Sequence, residues 1–261
     1  MKVSCIQLSS GENYQENLKK YLYFLKKAIY KGADLILTPE TTSIVTDNKN
    51  ILLQNSYSMN EDVFIKETKI LCKKFKKWVL IGSLPIKDKN KLKNRSIMIN
   101  SKGKIVSYYD KINMFDVKLT KNELHKESKI YNAGKKVVTN KLPWGKIGFT
   151  ICYDLRFPEL YRTLSKKKLN FISVPSAFTK ITGKKHWHTL LKARAIENFC
   201  YIFAPAQTGK NTKKRETYGH TIIVSPDGKI IKEKKYGEGI IFAKIDPNLS
   251  MKLRKIIPSL V

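Results

Sequence analysis

The sequence predicts an α/β fold with helices packed over sheet, and three observations carry that reading. Residues 2–8, 14–31 and 33–38 run strand, helix, strand: two apolar stretches flank a segment whose leucines recur at helical spacing. After residue 145 strands and helices alternate again, as they do where helices cover a sheet. No internal repeat, low-complexity tract or linker divides the 261 residues, 42% of them hydrophobic, so 1–261 reads as one domain able to bury a sizeable core.

The elements follow in order. Leu18, Leu22, Leu25 and Ile29 line one side of helix 14–31. A helix near 61–76 precedes strands near 78–84, 94–100 and 104–109, the last two joined by the hairpin turn Ser101-Lys102-Gly103. A loop is expected from Asp110 to about Lys135. The apolar run Lys146 to Ile151 reads as a buried strand, and Pro158 suits the first turn of a helix ending near Lys167. A strand at 170–175 and a helix at 186–199 come next. Strands near 200–206, 220–225, 229–234 and 239–245 close the chain, with Pro226-Asp227-Gly228 as a second hairpin turn.

Cys152 lies between that buried strand and that helix. At such a turn backbone N–H groups are unpaired, which suits an activated thiol better than a packed one. A thiol attacking a carbonyl needs a base and a group that stabilises the oxyanion. Glu40 ends Ala33 to Glu40, so a buried strand delivers a carboxylate to its C-terminal end, where parallel sheets build their sites. Lys111 follows Val106 to Asp110 in the same way. A solvated loop glutamate and one surface lysine among many are the bland readings of each alone; their joint appearance favours the functional one.

Together these residues resemble the nitrilase superfamily of carbon–nitrogen hydrolases, and the likeness runs almost end to end. The resemblance implies a four-layer α-β-β-α sandwich, with Glu40 as general base, Lys111 as stabiliser of the tetrahedral intermediate and Cys152 as nucleophile. A second glutamate of the family, which positions the amide and the lysine, matches Glu127. Lys111 to Val117, Cys152 to Leu160, Pro175 to Phe178 and Ala193 to Asn198 are most similar to the amidase branch containing deaminated-glutathione amidase and omega-amidase. Tyr218-Gly219-His220 favours the former. The branch has histidine where this chain has Asn113, and its arginine-rich tail is not found after Ile257 to Val261. The resemblance further implies a small anionic amide as substrate, no cofactor, and a homodimer formed through helices near the cysteine, with helix 186–199 (Trp187, Leu190, Leu191, Ala195, Phe199) as a candidate surface.

The chemistry stands beside the resemblance. A thiol with a pKa of roughly 8.5 is mostly protonated at neutral pH, so a base must be built in. Glu40 can take the proton and return it to the leaving amine. Lys111 and the Tyr153 backbone N–H would face the oxyanion, while Glu127 would hold Lys111 charged and aimed. Arg156 either forks onto a substrate carboxylate or pairs with Asp154 or Glu159 to hold the turn. Tyr218, His220 and Glu197 are explained equally well by packing.

The net charge of +30 and pI near 9.9 raise nucleic acid as a partner, and a non-catalytic scaffold is a further alternative. Only six of the 51 basic residues are arginine and the lysines are scattered, which points to a solvated surface and against nucleic acid. Among four cysteines, Cys5 and Cys200 sit in strand-like runs and Cys72 in a helix-like one. No C-x-x-C pair suggests zinc or a disulfide framework, so a reducing compartment is expected. His186 and His188, two apart on a helix, point to different sides, with no third ligand evident, so no metal is expected. With neither signal-peptide core nor membrane span, the expectation is a cytoplasmic protein.

Overall fold

The computed structural model describes residues 1–118 and 124–260. In chain order its first elements are β1 (Lys2–Gln7), α1 (Tyr14–Tyr30), β2 (Leu35–Leu37), α2 (Lys49–Gln54), α3 (Val63–Phe75), β3 (Trp78–Asp88), β4 (Lys91–Ile99) and β5 (Ile105–Asp110). A small pair, β6 (Asp116–Lys118) and β7 (Leu124–Lys126), leads into a 3₁₀ turn at Glu127–Lys129. There follow β8 (Thr139–Leu142), β9 (Gly145–Phe149), a 3₁₀ helix at Cys152–Arg156, α4 (Pro158–Ser165), β10 (Phe171–Ser173), α5 (Lys180–Asn198) and β11 (Tyr201–Ala204). The last elements are β12 (Thr208–Lys210), β13 (Glu216–Tyr218), β14 (Thr221–Val224), β15 (Ile230–Lys234), β16 (Gly239–Lys244) and α6 (Leu249–Ile256).

Two six-stranded sheets result, ordered β16-β1-β2-β3-β4-β5 and β15-β14-β11-β10-β9-β8. Each has three parallel strands at its centre, β1-β2-β3 and β9-β10-β11, with antiparallel strands outside them. Strand alternation sends side chains to two different cores. Val3, Cys5, Leu35, Leu37, Leu80 and Met98 point between the sheets and meet Phe149, Phe171 and Phe203. Their neighbours Ile36, Val79, Ile81, Ile97 and Ile99 point outward and are covered by Tyr21 and Leu25 of α1 and by Phe64 and Cys72 of α3. On the far side, Tyr161 and Leu164 of α4 and Trp187 and Leu191 of α5 cover the second sheet. The layers are helix, sheet, sheet, helix.

The helices begin where the chain supplies caps. Asn13, Asp62 and Thr179 each accept a backbone N–H of the first turn of α1, α3 and α5, an arrangement worth about 1 kcal/mol apiece. Helix α1 turns its Tyr21-Leu25-Ala28 side deepest into the core, while Leu18 and Leu22 are half-buried at the flank. Helix α5 begins at Lys180, six residues before the expected start. The added first turn includes Gly183, against which the Tyr218 side chain packs; a Cβ there would lie 2.4 Å from it. The expected loop 110–135 contains the β6-β7 pair and the 3₁₀ turn, with 119–123 outside the described residues. Trp187, Leu191, Ala195 and Phe199, offered above as a dimer surface, are buried in the protein's own core. Among the described residues no helix is long and apolar enough to cross a membrane.

Candidate active site

Glu40 is carried past the end of β2 on a turn latched from several directions. The Thr38 hydroxyl accepts the Gly82 N–H at 3.0 Å, the Thr42 hydroxyl donates to the Pro39 carbonyl at 2.7 Å, and Ser83 Oγ accepts the Thr41 N–H at 2.8 Å. Gly82 is required here, since a Cβ would fall 1.9 Å from the Thr38 carbonyl oxygen. Buried Gln207 donates to the Glu40 carbonyl at 3.0 Å, tying this turn to the second sheet.

Lys111 arrives at the end of β5. One residue earlier, Asp110 receives a bidentate pair from Arg95 of β4 (Nε at 2.6 Å, Nη2 at 2.9 Å). Because side chains alternate along strands, this lock on one face fixes Asn94 and Lys111 on the other. Their backbones are joined as well, Lys111 N–H donating to the Asn94 carbonyl at 3.0 Å.

The buried charges converge. Lys111 Nζ donates to Glu40 Oε1 at 2.9 Å and to Glu127 Oε2 at 2.8 Å. Asn94 Nδ2 bridges the same two carboxylates, at 3.0 Å to each. The remaining Glu40 oxygen accepts the Ala177 N–H at 2.9 Å, and Glu127 Oε2 also accepts the Phe115 N–H at 2.7 Å. Glu40, Asn94 and Lys111 are each at most 3% exposed. Removing one partner from such a group would leave an uncompensated buried charge, at a cost of about 3–5 kcal/mol.

Cys152 follows β9 with φ +49°, in the left-handed region that a non-glycine residue occupies only under constraint. Its N–H donates to the Pro175 carbonyl at 3.0 Å, and Asp154 supplies much of the rest. That carboxylate accepts from Ile151 N (2.9 Å), Tyr109 OH (2.7 Å), Asn113 N (3.0 Å) and Asn113 Nδ2 (2.8 Å). The cysteine turn is thereby bound to the loop just after Lys111. Asn113, where the branch has histidine, makes this bond with its own amide. The Tyr153 N–H lies in the first turn of the 3₁₀ helix, where N–H groups lack intrahelical acceptors.

Electrostatics assign the protons. Burial pushes the Cys152 thiol well above its ordinary range and the neighbouring Glu40 charge pushes it further, with Lys111 opposing, so the sulfur rests as a thiol. Burial alone would raise Glu40, but Lys111 above all, with smaller contributions from Cys152 and Arg215, brings it below the usual carboxylate range. Burial disfavours the Lys111 ammonium, and the Glu127 and Glu40 carboxylates overcome it and hold the lysine charged. The site is a neutral thiol beside an ionised carboxylate and a permanent cation.

These groups form the floor of a cavity of about 710 Å³, and all six site residues expected from the sequence line it: Glu40, Lys111, Glu127, Cys152, Tyr153 and Arg156. Phe115, Tyr131, Phe178, Lys214 and Arg215 complete much of the wall. The Arg156 guanidinium lies 5.5 Å from the Phe178 ring centre and 6.0 Å from that of Tyr153, with its Nη2 3.2 Å from His186 Nδ1. Among the described residues it forms no ion pair with Asp154 or Glu159, the alternative offered above. Arg194 is the structural arginine instead: it donates to the Leu155 carbonyl at 3.1 and 2.9 Å and pairs with Glu197 at 2.9 Å.

Asn94 and Arg215 were not legible in the sequence. Asn94 sits in the polar run Lys93-Asn94-Arg95, and only the pairing of β4 with β5 shows that it faces two carboxylates. Arg215 lies among Lys213, Lys214 and Glu216, where nothing separates it from the surface charges. His186 and His188 do point to different sides, but His188 meets two groups from distant strands, His220 and Glu233.

Comparison with known proteins places the whole chain in one family. The family described as carbon-nitrogen hydrolase matches residues 2–255. Deaminated glutathione amidase of Yersinia enterocolitica is 35% identical over 264 residues, covering 99% of this chain and 91% of that protein. The crystal structure of Saccharomyces cerevisiae Nit3, a member of branch 10 of the nitrilase superfamily, superimposes with a TM-score of 0.88 at 30% identity, over 99% of this chain and 94% of that one. The C. elegans NitFhit protein gives a TM-score of 0.91 at 31% identity, over 98% of this chain; the chain spans 63% of that longer protein.

Proposed function

This chain belongs to the carbon–nitrogen hydrolase family and is a hydrolase acting on amides, and from that premise we propose that it cleaves a linear carboxamide through a thioester on Cys152. The observation that carries the reading is Glu40, ionised and buried, held by Lys111 at 2.9 Å beside a neutral thiol on the floor of an open cavity. As Cys152 Sγ bonds to the carbonyl carbon, Glu40 takes the thiol proton. The carbonyl oxygen becomes anionic facing Lys111 and the Tyr153 N–H, where one such donor is typically worth about 3–4 kcal/mol. The carbon–nitrogen bond then breaks, Glu40 returns its proton to the departing nitrogen, and a thioester remains. Glu40 next removes a proton from water, which attacks the thioester and releases carboxylate and thiol.

The substrate we propose is deaminated glutathione, cleaved to 2-oxoglutarate and cysteinylglycine. Arg156, Lys214 and Arg215 on the cavity wall support an anionic amide, and the Nε of Arg215 is buried without a hydrogen-bond partner among the described residues. The name of the Yersinia relative, deaminated glutathione amidase, supports the same choice. 2-Oxoglutaramate, the omega-amidase substrate, is the rival. Turnover of deaminated glutathione, 2-oxoglutaramate and an N-carbamoyl amino acid, assayed side by side with Cys152→Ala as control, tests the choice. Preference for deaminated glutathione is expected; preference for 2-oxoglutaramate would overturn it. Four free, buried cysteines support a reducing, cytoplasmic setting. The homodimer would use the outer side of α5, where Ile181 and Ile196 are about half exposed, and light scattering of the purified protein tests it.

A further inference from the structure

On the side of Trp187 away from the cavity, three elements bring unlike side chains to one point. His188 comes from α5, His220 from the residue preceding β14, and Glu233 from β15. Glu233 Oε1 lies 2.8 Å from His188 Nε2 and 2.6 Å from His220 Nδ1, and the three ligand atoms all fall within 4.8 Å of one another. His220 is the rigid member. It is buried, held at φ +58°, its N–H donates to the Lys235 carbonyl at 3.1 Å and its carbonyl accepts Trp187 Nε1 at 2.8 Å. Its ring stacks on Tyr218 with centroids 4.0 Å apart, and Tyr236 meets it edge-on at 5.5 Å. His188 and Glu233 are half-buried, which leaves a path from solvent.

We propose that His188, His220 and Glu233 form a binding site for a borderline divalent transition-metal ion, of which Zn²⁺ is the type, separate from the hydrolytic centre. Two imidazole nitrogens and one carboxylate oxygen are the donor set such ions prefer, whereas Mg²⁺ and Ca²⁺ take oxygen. Three protein ligands with a fourth position open to water is a common tetrahedral arrangement. At metal–ligand distances of about 2.0–2.1 Å, tetrahedral ligand atoms lie about 3.3 Å apart, so Glu233 Oε1, now 2.8 and 2.6 Å from the two imidazole nitrogens, must draw back by about 0.5–0.7 Å to admit the ion. To ligate, the imidazole nitrogens that now face Glu233 must each present a lone pair to the ion. The ion would clamp α5 to the second sheet. Trp187, whose ring lies 4.9 Å from that of Phe178 in the cavity wall, connects the clamp to the substrate pocket without placing the metal in the reaction.

The test is titration of the metal-stripped full-length protein with Co²⁺, read by visible d–d absorption, and with Zn²⁺, read by calorimetry and melting temperature. The competing ligand in this chain is the Cys152 thiol, so Cys152→Ala is run in parallel. Expected are one equivalent bound per chain, a rise in melting temperature with Zn²⁺, and the same binding in Cys152→Ala. In His188→Ala and Glu233→Gln the affinity should fall by more than the roughly 10–100-fold that loss of a ligand's hydrogen-bond partner costs. Both variants sit at half-buried positions, and circular dichroism with retained amide hydrolysis shows that they fold. No saturable binding in the wild type, or binding abolished by Cys152→Ala and untouched in the other two variants, overturns the site. Neither result bears on the hydrolytic reading, which Cys152→Ala tests by itself through turnover.

Discussion

The second sheet carries a buried cysteine at each of its two ends, and they show what makes a thiol a nucleophile. Cys152 leaves the carboxyl end of β9; Cys200 stands just before the amino end of β11, two strands away. Both thiols are pushed up by burial, Cys200 to about 12. Cys200 has a cation beside it, Arg254 Nη2 at 3.1 Å, and lies 3.4 and 3.3 Å from the carbonyl oxygens of Leu169 and Asn198. Among the described residues no carboxylate is hydrogen-bonded to it, and it does not line the cavity that holds Cys152. Cys152 has Glu40 next to it and a chamber above it, both contributed largely by the first sheet. A lowered thiol pKa is therefore not the difference; a base delivered from across the sandwich is.

That comparison can be broken most severely at the sulfurs. Cys152→Ala should reduce carboxamide turnover by about 10⁵–10⁶, as loss of a member of a concerted catalytic unit does elsewhere. Cys200→Ala should leave kcat within a few-fold and cost stability only through the small void it opens. Equal losses in the two variants, measured by steady-state kinetics, would erase the distinction.

Next in size is Lys111→Met. A loss of about 10²–10³ in kcat is expected from the missing oxyanion partner. Unfolding free energy should also fall by about 3–5 kcal/mol, because Glu40 and Glu127 are left facing each other in the interior. Denaturant melts separate the two effects.

Asn94→Ala sharpens the contrast at a residue that never touches the thiol. It removes both amide bonds to the carboxylates, and a stability loss of about 1–3 kcal/mol is expected, with kcat lowered more than KM is raised. An unchanged kcat would show that Lys111 alone positions Glu40.

The smallest effect is in pH dependence. Glu40 is depressed in the folded protein, so its contribution to stability is present above its unfolded pKa of about 4.3 and is lost as pH falls through the lower folded value. kcat/KM should hold level through mildly acidic pH and fall only below that ordinary range. An acid limb near pH 6 would mean that another group is the base.

Much of this was legible along the chain. Strand-end positions placed Glu40 and Cys152 because each follows an apolar run and Lys111 because it follows the strand Val106 to Asp110, and α1, α3 and α4 fell within a few residues of their expected spans. What escaped was whatever depends on pairing between distant segments. Asn94 gains its meaning from the β4-β5 register, His188 from His220 and Glu233, and the first turn of α5 from the Tyr218 ring that packs on Gly183. Short polar strands such as β12 and β13 carry no apolar period, and α2, six residues long, is too brief for a helical one to register.

The most direct measurement is the mass of the intact protein after acid quench during turnover of deaminated glutathione, with the modified peptide then mapped. A gain equal to the 2-oxoglutaryl group, carried on the peptide containing Cys152 and absent in Cys152→Ala, is expected. Turnover under saturating substrate with no adduct in either wild type or Glu40→Gln, or an adduct mapped to any other residue, would contradict a base-activated Cys152.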